Sequence, residues 1–172
     1  AGLNVGAIHA LHTLKGLGCL TLDQQRKTYA GDQLCFEGAL KHSSAGVRRN
    51  AIAVLSHSKE GLQLLLKNKS LFTDADAQVQ LAAYLALADM PESSEAAAIV
   101  AERCKTATDP VLIDGMTAAA GTHAVPFITA LGAWPRGTSD AEVQIARRVA
   151  EHIARSKPDA AVLEAVVKNV NS

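Results

Sequence analysis

Residues 47–55 read VRRNAIAVL, and a related stretch returns 32 residues later as VQLAAYLAL at 79–87. Two further copies follow at the same step, VLIDGMTAA at 111–119 and the looser VQIARRVAE at 143–151. Each copy opens with Val and then places small or apolar residues three or four positions apart, which is the spacing of one helix face. A fixed period of this length predicts stacked helical units rather than a single globular core.

Alignment of the copies predicts which positions are buried. We expect the tightest helix crossings at the small residues of one equivalent position: Ala51, Ala83 and Gly115. We expect the space between layers to be filled from a second position: Leu55, Leu87 and Ala119. The opening residues are expected to anchor each buried stripe: Val47, Val79, Val111 and Val143. In the fourth copy, Arg147 stands at the small-residue position and Glu151 at the position that fills the space between layers. Charged residues there are typical of a terminal repeat whose outer face meets water.

Capping and turn signals divide the chain into about ten short helices. Ser43 or Ser44 is expected to cap the helix of the first copy, and Asp74 or Asp76 that of the second. The Asp-Pro pair at 109–110 places Pro at the first helical position of the third. No segment alternates polar and β-branched apolar residues, so we predict an all-α fold without a sheet.

The composition narrows the classes of partner. The chain has 17 basic and 17 acidic residues, only 3% aromatic residues and zero formal net charge, which disfavours nucleic acid and anionic membranes. No apolar run approaches the roughly 18 to 20 residues of a membrane span. No signal peptide is recognised, and the pattern is already under way at Ala1. We therefore expect a fragment of a larger protein whose partners are other protein modules.

The cysteines indicate neither a disulfide framework nor a metal site. Cys19, Cys35 and Cys104 form no CxxC pair, and their odd number argues against complete pairing. Buried free thiols are the expected state. A disulfide bridge between Cys19 and Cys35 remains an alternative if the first helices bring the two residues together.

Two stretches resemble the second helix of a HEAT repeat: AGVRRNAIAVL at 45–55 and DADAQVQLAAYLAL at 74–87. The shared pattern is Asp, then Val with a following Arg or other polar residue, then small residues and Leu. The resemblance covers about residues 4–170 and implies a right-handed α-solenoid of about five antiparallel helix pairs, forming one domain over 1–172. It also implies that Arg48 pairs with an Asp such as Asp76.

A longer series of segments is similar to the helical-repeat part of large bacterial haem-binding dehydrogenase-like proteins. The segments are IHALHTLKGLGCL at 8–20, ALKHSSAGVRRNAIAVL at 39–55, AQVQLAAYLALADMP at 77–91 and DPVLIDGMTAAAGTHAVPFI at 109–128. This resemblance implies a sugar-dehydrogenase-like β-propeller before the repeats, a c-type cytochrome module after them, and a periplasmic location. His12 stands where that family has an aromatic residue, and no CxxCH haem motif is present. Neither haem nor dehydrogenase chemistry is therefore assigned to this chain, and no cofactor is expected in it.

Four residues are candidates for protein binding. Arg48 and Arg49 begin the helix of the first copy, and Trp134 and Arg136 lie in the breaker-rich loop GAWPRG. A Trp beside an Arg is a frequent anchor of protein interfaces, because both side chains bury a large area with specific polar contacts. These four residues are the predicted binding set.

The histidines do not predict a metal site. His9 and His12 lie three apart on one helix, but no third ligand is evident and the Glu of an HExxH motif is absent. His123 follows a helix break near Gly121 and is expected to have a structural role. No catalytic or metal-binding residue is assigned.

The sequence as a whole predicts a non-catalytic scaffold that spaces or docks protein modules. One alternative is an enzyme subunit, for which His9, His12 and Glu37 would converge on one cleft. The other is a binder of nucleic-acid backbone, for which Lys and Arg would line a groove. Arg147, Arg148 and Arg155 are accompanied by acidic residues on the same helix, so we interpret them as a solvated face and rank nucleic acid last.

Overall fold

The computed structural model describes residues 4–18, 36–132 and 139–158, together with 160, 162–164 and 167. Within these residues the regular structure is entirely helical and contains no strand, which confirms the predicted all-α class. The chain divides into two compact units, Ala1–Ala86 and Leu87–Ser172.

The first unit is built around a central short helix. Its elements are α1 (Val5–Gly16), α2 (Phe36–Leu40), α3 (Ala45–Ala53), α4 (Lys59–Lys67), a 3-10 helix (Lys69–Thr73) and most of α5 (Ala77–Ala88). Both α1 and α2 pack against α3. The ring of Phe72 in the 3-10 helix lies 5.4 Å from that of Tyr84 in α5, and both side chains are buried. This contact attaches the 3-10 helix, which the sequence patterns did not predict, to the core of the unit.

Four helices of 8 to 16 residues are bounded within the described part of the second unit. They are α6 (Ser94–Cys104), α7 (Pro110–Thr122), α8 (Ala124–Leu131) and α9 (Asp140–Arg155). Helix α9 contacts each of the other three, and α6 packs against both α7 and α8. The buried stripe of α9 repeats every three or four residues, so this helix turns one face towards the others and its charged face towards solvent.

Side-chain caps define most helix starts. At the predicted cap of α3, Ser44 occupies the cap position, but its side chain makes no capping hydrogen bond. Ser93 accepts a hydrogen bond from the amide of Ala96, and Ser58 and Ser139 cap α4 and α9 in the same way. Asp109 accepts from two amides of the first turn of α7, which begins at Pro110. These bonds satisfy amides that have no partner within their own helix.

The two predicted sets of buried positions are confirmed. Ala51 and Ala83 are fully buried, and Gly115 is buried as well. The second set is also buried throughout: Leu55, Leu87 and Ala119. The small and the apolar residues at these two positions are therefore buried in all of the first three copies.

The prediction that Val anchors every copy is wrong for two of the four. Val47 and Val79 are buried, whereas Val111 and Val143 are 55% and 41% exposed. The buried pair are each the third residue of their helix, but Val111 is the second residue of α7 and Val143 the fourth of α9. Val143 lies off the buried stripe of α9, because two residues separate it from buried Ile145 and turn its side chain by about 200°. Val111 shares a face with buried Gly115, four residues later, but it lies in the first turn of α7, where its side chain is exposed.

The fourth copy has a complete buried stripe in a different register. Ile145 and Val149 are buried and follow Gly115 and Ala119 by 30 residues rather than 32. Arg147 and Glu151, which the constant step places at these positions, are exposed and form an ion pair with each other. The apolar stripe of the fourth copy is therefore intact and begins two residues earlier, while Arg147 and Glu151 lie on the face that meets water.

No single helix among the described residues is both long and apolar enough to cross a membrane. Helices α7 and α8 reach that length and composition only when they are taken together, and the chain bends by 111° between them.

Candidate functional site

Arg48 lies at the centre of a polar cluster in the described part of the first unit. Its Nε and Nη2 atoms donate to Oδ2 and Oδ1 of Asp74, both at 2.7 Å. Its Nη1 atom donates to the backbone carbonyls of His42 at 2.7 Å and Ser43 at 3.0 Å. The side chains of Arg48 and Asp74 are only 16% and 10% exposed. This two-pronged, partly desolvated pair joins α3 to the segment that precedes α5.

The charges of this cluster stabilise each other. Burial alone would raise the pKa of Asp74, but hydrogen bonds from Arg48 and the Asp76 amide, with the charge of Arg48, lower it overall. The hydrogen bond to Asp74 raises the pKa of Arg48. The guanidinium is thus occupied inside the unit, and its visible role is structural.

The HEAT resemblance implies an Asp as the partner of Arg48, with Asp76 as the example, and the partner is an Asp but a different one. Asp74 takes that role, while the side chain of Asp76 accepts hydrogen bonds from the amides of Gln78 and Val79 at 2.9 and 3.3 Å. Asp76 therefore caps α5, and the carboxylate two residues earlier is the one left to reach α3. The expectation for Asp76 was wrong because the two aspartates divide between them the roles of helix cap and ion-pair partner.

The other predicted protein-binding residues have no structural role that the described residues define. Arg49 is exposed and forms no ion pair within the part of the chain that the structure describes. Trp134 and Arg136 lie outside the described residues, as do Cys19 and Cys35 with their suggested bridge. Protein binding by Arg49, Trp134 and Arg136 stays a prediction.

The set proposed for an enzyme cleft has separate structural partners. The Nε2 atom of His12 lies 2.8 Å from Oδ1 of Asn50, which connects α1 to α3. Glu37 instead forms ion pairs with two lysines: Lys41 at 3.3 Å and Lys67 at 3.0 Å. His9 is exposed, and the described residues contain no group of three side chains suited to a metal ion.

Cys104 is a buried thiol, as expected for the free cysteines. Its Sγ atom donates a hydrogen bond to the carbonyl of Ala101 at 3.2 Å. Burial, together with the negative charge of Glu142, raises its pKa to about 12. Since the thiolate is the reactive form, this cysteine is chemically quiet at neutral pH.

His123 is fully buried at the break between α7 and α8. Its Nδ1 atom accepts a hydrogen bond from the amide of Ser93, the residue that caps α6. Its Nε2 atom has no hydrogen-bond partner among the described residues. Burial lowers the pKa of this imidazole, and the backbone of Leu87 opposes the shift only in part. The neutral ring therefore serves as an acceptor that ties α6 to the α7–α8 break.

A groove of about 380 Å³ lies between α7 and α9 in the second unit. It has an apolar floor of small side chains and a rim of hydroxyls, an imidazole and a guanidinium. The lining residues are Thr117, Ala118, Gly121, Thr122, Arg148, Val149 and His152. Sequence reasoning missed this groove, because it depends on which faces of two distant helices meet. One indication of it lies in the sequence, which places Arg148 on a solvated face of its helix.

Comparison with known proteins identifies no relative. No protein-family model, curated protein or solved structure matches this chain. The HEAT-like and haem-protein resemblances rest on the sequence segments quoted above, and the groove on its own geometry.

Proposed function

We propose that this chain is a non-catalytic α-helical repeat scaffold that docks or spaces other protein modules. The observation that carries the proposal is that, within the described residues, the side chains best suited to catalysis make structural contacts instead. Arg48 is bound to Asp74, His12 to Asn50 and His123 to Ser93, while Cys104 is held as a protonated thiol. The contacts of Arg48, His12 and His123 hold helical elements together, whereas the Cys104 thiol donates within its own helix to Ala101. Structural contacts of this kind are what a scaffold requires of its polar groups.

The recurring buried register supports a repeat architecture for this scaffold. Small residues at Ala51, Ala83 and Gly115 are buried at a constant step of 32 residues. Helix pairs with such stripes cover one another when they stack, and the outer faces then form an extended binding surface. We propose a HEAT-like solenoid of antiparallel pairs as that arrangement.

The proposed setting is an extracytoplasmic redox protein with haem-binding and dehydrogenase-type modules on either side of the repeats. This setting follows from the resemblance of four segments between residues 8 and 128. The chain would contribute separation and docking of the redox modules, and no step of their chemistry.

The test is to isolate the native polypeptide with an antibody raised against residues 36–132. Intact mass and sequencing of both ends define the mature protein, and lysine cross-linking defines its contacts. We expect a larger polypeptide, with cross-links from Lys15, Lys41 or Lys67 to residues outside this chain. Cross-links that persist after dilution separate contacts within one polypeptide from chance encounters.

Two results would contradict the proposal. A mature protein that starts at Ala1 and ends at Ser172, with no cross-linked neighbour, would exclude a spacer between modules. A Soret absorption band from the purified 172-residue chain would show that it binds haem itself.

A further inference from the structure

We infer that the groove between α7 and α9 docks a protein segment that presents a carboxylate side chain to Arg148. The inference rests on the proposed docking function and specifies which chemical group a partner presents to this groove. It stands on three features of the groove: its open floor, the exposed guanidinium of Arg148 at its rim, and an ion pair that a partner can replace.

The floor of the groove is made of small residues and has unused space. Ala118, Gly121 and Val149 line it, and a Cβ atom built on Gly121 would meet no heavy atom within 4 Å. The volume of about 380 Å³ lies at the lower end of the range for ligand-binding clefts. A helix or an extended segment with small apolar side chains can therefore approach the backbone of α7 closely.

The hydroxyl donors at the rim are already committed within the unit. Thr117 donates to the carbonyl of Ile113, and Thr122 to that of Ala88, each at 2.7 Å. Donors available to a ligand must therefore come from Arg148 and from His152, one turn further along α9. Because a guanidinium only donates, its partner must supply acceptors, and a carboxylate is the protein group that matches it in charge and in shape.

The present partner of Arg148 is held weakly. Its Nη1 atom lies 2.9 Å from Oδ1 of Asp114, but the two side chains are 49% and 69% exposed. An exposed pair of this kind contributes roughly 0 to 1 kcal/mol, so an incoming carboxylate can displace Asp114 or share the guanidinium with it. Asp114 thus marks the position at which a carboxylate already contacts the rim of this groove.

The test uses the whole chain and two matched synthetic peptides. One is an amphipathic peptide of Leu, Ala and Glu, and the other has Gln in place of every Glu. In ¹⁵N NMR titrations we expect the Glu peptide to shift the amides of Gly121, Val149 and His152, and to bind about tenfold more tightly than the Gln peptide. In Arg148→Gln this preference should fall to about twofold or less.

Four further variants separate the groove from general electrostatics. Arg147→Gln removes an adjacent exposed charge that lies outside the groove, and it should leave the preference for the Glu peptide unchanged. Asp114→Asn removes the competing carboxylate and should strengthen binding. Gly121→Leu fills the open floor and should abolish binding, whereas Gly121→Ala should retain it. If Gly121→Leu does not fold, the other variants still decide the question.

Three outcomes would overturn the inference. They are amide shifts spread over all the basic residues, equal losses in Arg147→Gln and Arg148→Gln, and binding of N-acetylglutamate as tight as that of the peptide, which would make the groove a small-molecule site. Cross-links from the native protein to neighbouring modules on other surfaces, with no peptide binding here, would refute this groove and leave the scaffold function standing. A mature, free-standing 172-residue protein with no neighbour would refute the scaffold.

Discussion

Each unit has an arginine–aspartate pair that joins two elements, and the two pairs differ in almost every physical respect. Arg48 contacts Asp74 through two hydrogen bonds and two carbonyls through a third nitrogen, with both side chains largely buried. Arg148 contacts Asp114 through one bond, with both side chains about half exposed or more. The comparison shows that the same pair of residues can hold a fold together or leave a charge at the surface for a partner, according to burial.

Replacement of Arg48 is expected to have the largest effect. Arg48→Ala leaves Asp74 partly buried without its partner, and we expect the free energy of unfolding to fall by about 3 kcal/mol. Arg148→Ala should change it by less than about 1 kcal/mol, because its pair is solvated. Urea denaturation followed by circular dichroism measures both. Equal effects of the two variants would refute the contrast, and the exposed neighbour Arg49→Ala is the control for helix propensity.

A second contrast concerns two helical glycines, and Gly61 should give the larger effect. A Cβ at Gly61 would overlap the backbone carbonyl oxygen of Ser56, which cannot move away as a side chain can. We expect Gly61→Ala to destabilise the protein by about 2 kcal/mol, despite the better helix propensity of alanine. A more stable Gly61→Ala variant in the same denaturation assay would show that the loop before α4 moves aside at little energetic cost.

The second unit should respond to acid through His123. Its folded pKa lies below the unfolded value near 6.5, so the unfolded state binds the proton more tightly. Its contribution to stability is therefore complete above about pH 6.5 and is lost as the pH falls through the folded pKa. His123→Gln should flatten this part of the stability profile, measured by thermal unfolding between about pH 7.5 and 5. An unchanged slope in the variant would assign the acid sensitivity to other groups.

The smallest expected effect is that of Gly121→Ala. Its Cβ would enter open space above the floor of the groove, and alanine restricts the unfolded chain more than glycine does. We expect a gain of about 0.5 to 1 kcal/mol, opposite in sign to Gly61→Ala. The gain is measured by the midpoint of urea denaturation at unchanged slope. A loss of stability would mean that the space above Gly121 is not open in solution.

Structural features could be predicted from the sequence where the contact that determines them joins residues close together in the chain. The start of α7 at Pro110 follows from Asp109, whose side chain reaches amides two and three residues away. The assignment of Asp74 and Asp76 could not be made, because both are suited to cap a helix and only the position of Arg48, 26 residues earlier, separates them. The 3-10 helix was missed for the same reason, since the packing of Phe72 on Tyr84 stabilises it.

By itself, the sequence determined the all-α class and the buried sets at Ala51, Ala83 and Gly115 and at Leu55, Leu87 and Ala119, because helical periodicity is a local property. Only the tertiary structure decided that the fourth stripe begins two residues early at Ile145 and Val149, and that α7 and α9 enclose a groove beside Arg148. The physical reason is rotational: displacement of the apolar stripe by two residues moves the buried face by about 200° around the helix axis. The face that is buried is set by the neighbouring helices against which the helix packs.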